Sequence, residues 1–92
     1  MRVPEPLRLL LLEDSLTDAI IIETSLSRAG VRFNAVRVDN EDAFRAALAE
    51  LKPDVVLSDY NVPRFRGDEA LAMVRAISPE QPFIFVSGFL GD

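Results

Sequence analysis

The chain has 92 residues and a formal net charge of −5, a size for one small domain and a charge that argues against direct nucleic-acid binding. Cysteine and histidine are both absent, which excludes disulfides, thiolate metal sites, the usual zinc ligand and the commonest general base. Apolar residues make up 49% of the sequence, enough for a core, yet no apolar run approaches the ~18 residues of a membrane span. A metal held by such a chain must be bound through oxygen, which favours magnesium, calcium or manganese. The simplest role of the negative charge is solubility. Residues 1–6 hold two prolines and lack the basic start and long apolar stretch of a signal peptide, so the chain reads as cytoplasmic, with no membrane contact.

The first predicted element is a strand from Leu7 to Glu13, a short apolar run that ends in the acids Glu13 and Asp14. Ser15 to Ala29 reads as a helix. Ser15 is its N-cap, with Asp18 three residues on as a loose capping box. Ala19, Ile22, Leu26 and Ala29 share one face, and Gly30 suits the C′ position. Ile20 and Ile21 widen the apolar arc, either as a broad core face or as a partner contact.

Arg32 to Val38 alternates in part and suits a more exposed second strand. Asp39 or Asn40 caps a second helix through Leu51, with Ala43, Phe44, Ala47, Leu48 and Leu51 inward. Lys52-Pro53 ends it, because the residue before proline resists the helical region. Asp54 to Asp59 is a third apolar strand that again ends in acid. Tyr60 to Arg66 is a loop containing Pro63. Gly67 or Asp68 opens a third helix to about Ile77, with Leu71, Val74 and Ile77 inward. Pro82 to Ser87 forms a fourth strand. The order is βαβαβαβ with short joints, the pattern of an α/β doubly wound parallel sheet.

Ligand sites in such sheets lie beyond the carboxyl ends of the strands. If the first and third strands are neighbours, Glu13, Asp14 and Asp59 converge within the span of one bound cation, since adjacent strands lie about 4.8 Å apart. Left bare, the cluster is costly: two unit charges 4 Å apart repel by about 4 kcal/mol at an effective dielectric near 20. A divalent metal or an uptaken proton relieves it. Magnesium takes about six oxygens and keeps several waters. Asp14 and Asp59 supply carboxylates, Asn61 is placed to offer its backbone carbonyl, and Glu13 can act through a water. A carboxylate beside a metal is also a nucleophile toward phosphorus. Ser87, at the end of the fourth strand, is placed to donate a hydroxyl, and Gly88 leaves room for a phosphoryl group. Taken singly, these residues have plainer roles as loop, turn and helix-cap residues; the specificity lies in the joint pattern at successive strand ends.

The set Leu11-Leu12-Glu13-Asp14, Leu57-Ser58-Asp59-Tyr60-Asn61-Val62-Pro63, Gly67 and Phe85-Val86-Ser87-Gly88 resembles the receiver domain of bacterial two-component response regulators. The likeness runs from Leu7 to the end of the chain. It implies a flavodoxin-like fold with strand order 2-1-3-4 followed by a fifth strand. It implies that Asp59 is the phosphoacceptor, charged by a phosphohistidine of a sensor histidine kinase or phosphotransfer protein, and that Ser87 is the switch hydroxyl. It implies Mg²⁺ at Glu13, Asp14, Asp59 and the Asn61 carbonyl, in a signalling module rather than an enzyme. The alternative is a receiver-like interaction or dimerisation module that is not phosphorylated.

The resemblance also implies a fourth helix, a fifth strand ending in a lysine, and a fifth helix. The only lysine, Lys52, precedes the third strand, at the wrong end of the sheet. The expectation is therefore an incomplete receiver over residues 1–92, lacking its fifth strand and last helices. Its fourth strand would then be a sheet edge, with Phe83, Phe85, Phe89 and Leu90 forming an apolar patch that drives self-association through that strand.

Overall fold

The four leucines Leu9, Leu10, Leu11 and Leu12 are all fully excluded from solvent, although side chains along a strand alternate between faces. A strand with both faces covered needs an unbroken apolar run, and this one has it. In the computed structural model, which describes residues 6–86, that strand is β1 (Leu7–Leu12). The elements that follow are α1 (Leu16–Arg28), β2 (Phe33–Val38), α2 (Glu41–Leu51), β3 (Val55–Ser58), α3 (Gly67–Ile77) and β4 (Phe83–Phe85). The sheet is parallel with strand order β2-β1-β3-β4, as expected.

The two faces of β1 feed two cores. Leu10 and Leu12 pack with Phe44 and Leu48 of α2, Ala70 and Val74 of α3, and Val62 and Phe65 of the loop after β3. Leu9 and Leu11 pack with Ala19 and Ile22 of α1 and with Leu57. Phe44 and Phe65 meet with ring centroids 5.4 Å apart. Each fully buried leucine contributes about 1.5–3 kcal/mol relative to exposure, so β1 anchors both layers.

The helix boundaries follow the capping chemistry. The Ser15 hydroxyl accepts the Asp18 N–H at 3.2 Å, and Gly30 lies at φ 85°. Asn40, rather than Asp39, caps α2, accepting the Ala43 N–H at 2.9 Å. Lys52 turns left-handed at φ 48°, which breaks α2 before Pro53.

Three expectations about faces and ends need correction. Ala29 is exposed, because it is the C-cap of α1 and not part of its inward face. On α3 the buried residues are Gly67, Ala70 and Val74, while Leu71 is half-buried and Ile77 is 52% exposed. The small side chains at Gly67 and Ala70 let the helix approach the sheet along their own line, which turns Ile77 outward. On β4, Phe83 is half-buried against the α2 and α3 core, and Ile84 carries the largest exposure of that strand. Ser87, Phe89 and Leu90 lie outside the described residues.

Candidate functional site

The sheet order reverses between β1 and β3, since β2 lies on one side of β1 and β3 and β4 lie on the other. Such a switch point leaves a crevice beyond the strand ends. Glu13, Asp14 and Asp59 occupy it. Carboxylate oxygens of all three lie within 4.8 Å of one another.

Backbone bonds beyond the strands hold the acids there. The Asp59 N–H donates to the Leu12 carbonyl at 2.9 Å, and the Glu13 N–H donates to the Val38 carbonyl at 3.0 Å. The Ser58 hydroxyl, fully buried, donates to the Asp59 carbonyl at 2.8 Å. Asn61 lies beside the cluster, its N–H donating to the Asp59 carboxylate at 3.4 Å.

The three acids differ in environment. Glu13 is buried, Asp59 half-buried and Asp14 exposed. Burial pushes the Glu13 carboxyl up to about 7; the Ser15 N–H, donating at 3.1 Å, opposes this, and the negative charges of Asp59, Asp18 and Asp14 add to it. A buried acid facing two further carboxylates is the charge arrangement that a hard, oxygen-seeking cation relieves, so the donor set fits a divalent ion.

Two arginines border the cluster. Arg37 of β2 donates to the Glu13 carbonyl at 2.9 Å, and Arg64 lines a cleft beside Asp14 with Asp39 and Pro63. Gly67, at the start of α3, packs directly against the loop that follows β3: a Cβ there would sit 2.6 Å from the Asp59 carbonyl oxygen. Tyr60 stacks edge-on against Phe85 with centroids 4.9 Å apart, and Phe85 meets Phe83 at 5.2 Å. The role of Arg37 carried no sequence signal, because it depends on a contact across strands; Gly67 stands in the motif set, but its close packing against the Asp59 carbonyl depends on a contact between a helix start and a loop. The Tyr60–Phe85 pair has a weak one: each lies one residue from a predicted site position or near a strand end.

The model of the response regulator receiver domain family matches residues 9–91. The chain belongs to this family. A curated relative, the transcriptional regulatory protein YvcP of Bacillus subtilis, is 35% identical over 80 residues; the match covers 87% of this chain and 32% of that protein. The receiver thus spans about a third of that relative's length. Among solved structures, it is similar to the receiver domain of the sensor histidine kinase PA1611 from Pseudomonas aeruginosa, which has a magnesium ion coordinated in its active-site cleft. The TM-score is 0.75 at 23% identity, covering 94% of this chain and 72% of that one. It is also similar to a transiently phosphorylated "switch" from bacterial signal transduction, with a TM-score of 0.62 at 28% identity over 90% of this chain and 65% of that one. The flavodoxin-like receiver fold, read from the strand-end motifs, is borne out by the family match and by the strand order.

Proposed function

We propose that this receiver is the phosphoacceptor of a two-component phosphorelay, in which Asp59 takes a phosphoryl group from a sensor histidine kinase or phosphotransfer protein. The observation that carries the reading is the meeting of Glu13, Asp14 and Asp59 within 4.8 Å at the sheet's switch point. Asp14 and Asp59 would hold Mg²⁺ directly, with the Asn61 carbonyl, and Glu13 would act through a water. When bound, Mg²⁺ supplies neutralisation of the charge on the transferring phosphoryl oxygens.

The residues divide the remaining work. A carboxylate oxygen of Asp59 attacks phosphorus, the P–O bond forms as the P–N bond of the phosphohistidine breaks, and the electron pair leaves on the imidazole nitrogen. The Leu12 carbonyl and the Ser58 hydroxyl fix the Asp59 backbone, so the nucleophile is oriented before the donor arrives. Ser87 is proposed as the hydroxyl that meets the phosphoryl group. The module would signal by a shift between two conformations and catalyse no turnover of its own. The magnesium of the Pseudomonas receiver and the phosphorylated state of the bacterial switch lend support by family membership. With a net charge of −5, a protein partner is favoured over nucleic acid. Among the described residues no helix is long and apolar enough to cross a membrane, and a cytoplasmic setting fits a kinase partner.

The test is a titration with beryllofluoride or acetyl phosphate in the presence of Mg²⁺, followed by Tyr60 fluorescence and intact mass. The expected result is a Mg²⁺-dependent change that is absent in Asp59→Asn. A change unaffected by that substitution, or none in the unaltered chain, removes the reading.

Self-association through β4 is part of the same proposal. β4 forms one edge of the described sheet, with Ile84 52% and Phe85 36% exposed. An open strand edge beside apolar side chains favours pairing with a second copy. Light scattering at micromolar concentration should give a mass above that of one chain; a clean monomer counts against the pairing.

A further inference from the structure

We propose that Arg37 is a positioning residue for the cation pocket, acting through the backbone of Glu13. The inference rests on the metal-binding reading of Glu13, Asp14 and Asp59. Arg37 stands on β2, paired in register with Leu11 of β1. Its side chain reaches past the end of β1, and its Nη1 donates to the Glu13 carbonyl at 2.9 Å. The adjacent residue of β2, Val38, accepts the Glu13 N–H at 3.0 Å. Glu13 is therefore gripped from one strand at both ends, by a carbonyl on its amide and by a guanidinium on its own carbonyl.

The Glu13 carbonyl belongs to the peptide that carries Asp14. β1 ends at Leu12, so this carbonyl lies beyond the regular ladder. Arg37 supplies the missing donor and extends the strand-like constraint by one residue, to the peptide from which the exposed Asp14 projects. The Asp14 carboxylate is exposed, and the two acids beside it repel it. Its approach to Asp59 therefore depends on where that peptide plane is held. An outer contact of this sort, which orients a ligand without touching the ion, affects metal affinity strongly.

Arg37 also brings a positive charge toward a site proposed for a cation, and the two effects have opposite signs. As a fixed charge it would oppose Mg²⁺, and its removal would tighten binding. As a grip on the Glu13–Asp14 peptide it would favour Mg²⁺, and its removal would weaken binding. The side chain is exposed, so water and salt screen the charge, while the hydrogen bond acts through geometry that salt does not screen. The grip therefore wins.

The experiment is a Mg²⁺ titration, by calorimetry and Tyr60 fluorescence, of the unaltered chain, Arg37→Ala and Arg37→Lys, with the metal-free thermal midpoint of each. Arg37→Ala should raise the Kd for Mg²⁺ about tenfold, the lower end of what loss of an outer-shell partner produces. Its metal-free midpoint should be nearly unchanged. Arg37→Lys, which keeps a long side chain and a donor, should recover most of the affinity. If Arg37→Ala does not fold, Arg37→Met, which keeps the apolar stem, replaces it with the same expectation. An affinity that is unchanged or tighter in Arg37→Ala, or a Lys variant as weak as the Ala variant, overturns the proposal. If the unaltered chain fails to bind Mg²⁺ at all, the metal-binding reading itself falls, and this proposal with it.

Discussion

The N–H of Asp59 donates to the carbonyl of Leu12 at 2.9 Å, one step past the last register pair of β1 and β3, Leu12 with Ser58. This bond carries the parallel register out of the sheet and into the crevice. It places the first residue after β3 level with the end of β1, so that Asp14 and Asp59 approach from two strands. Asp14 is exposed and packs in neither core, so its removal should spare the fold. Asp14→Ala should weaken Mg²⁺ binding by more than about tenfold, since even outer-shell losses reach that size. Calorimetric titration, with the unfolding midpoint measured alongside, checks both halves.

Glu13 gives a pH signature. Its folded-state carboxyl is raised from the ordinary value of 4.5 to about 7, chiefly by burial. Where the folded pKa lies above the unfolded one, the folded state binds the proton more tightly. The resulting stability is fully present below about pH 4.5 and is lost as pH rises through about 7. Without Mg²⁺, the denaturation midpoint of the chain should fall across that window relative to Glu13→Gln, whose side chain does not titrate. Mg²⁺ affinity should rise over the same window, because an ionised Glu13 adds negative charge to the pocket. A parallel pH dependence in the two proteins would refute the assignment.

Gly67 is required by close approach. A Cβ at this position would lie 2.6 Å from the Asp59 carbonyl oxygen, 2.7 Å from Cε1 of Phe85 and 3.1 Å from the Ser58 hydroxyl. The first neighbour is backbone and yields only if the loop after β3 moves. Gly67→Ala should therefore destabilise by about 1–3 kcal/mol, the usual cost of overpacking. It should also weaken Mg²⁺ binding, because the displaced peptide carries Asp59. Denaturant melts and Mg²⁺ titration of the same variant measure the two effects.

The parts of this architecture legible in the sequence are those coded by local pattern. β1 announces itself because its four consecutive leucines serve two cores, and Ser15, Asn40 and Gly30 mark helix ends by chemistry that acts within three residues. Glu13, Asp14 and Asp59 were readable as a cluster because parallel sheets place strand ends together. What stayed hidden depends on long-range geometry. The Arg37 bond to Glu13 spans 24 positions, and the Arg8 pairing with Asp54 spans 46. The rotation of α3 is hidden for a related reason: apolar periodicity favours Leu71, Val74 and Ile77, but the line of closest approach runs through the smallest residues, Gly67 and Ala70.

That rotation is open to direct measurement. Val74 is fully buried in the α2 and α3 core, while Ile77 is 52% exposed. Val74→Ala removes two buried methyl groups and should cost about 2 kcal/mol, counting transfer and a small cavity. Ile77→Ala, although it deletes more atoms, should stay within about 0.5 kcal/mol of the unaltered chain. Equal losses in urea melts would restore the periodic face.

The opposite end of the sheet provides an acid-sensitive latch. The Asp54 carboxylate accepts the Arg8 N–H at 2.7 Å and the Arg8 Nε and Nη2 at 3.3 and 3.2 Å, while the Asp54 N–H donates to the Arg8 carbonyl at 2.8 Å. These bonds tie the start of β1 to the residue before β3 and so help to set the register that aligns the acids at the other end. The Arg8 side chain holds the Asp54 carboxyl below its ordinary value of 3.8. For a carboxyl lowered on folding, the stabilisation is present above the unfolded value and is lost as pH falls through the folded one. Acid unfolding of the chain should therefore steepen below about pH 3.8, where the Asp54 carboxylate takes up its proton. Asp54→Asn should lose that added steepness and be less stable at neutral pH, with a modest difference because the Arg8 side chain is half exposed. Circular dichroism followed from neutral pH down to the acid range distinguishes the two curves, and superimposable ones would show that the latch contributes nothing.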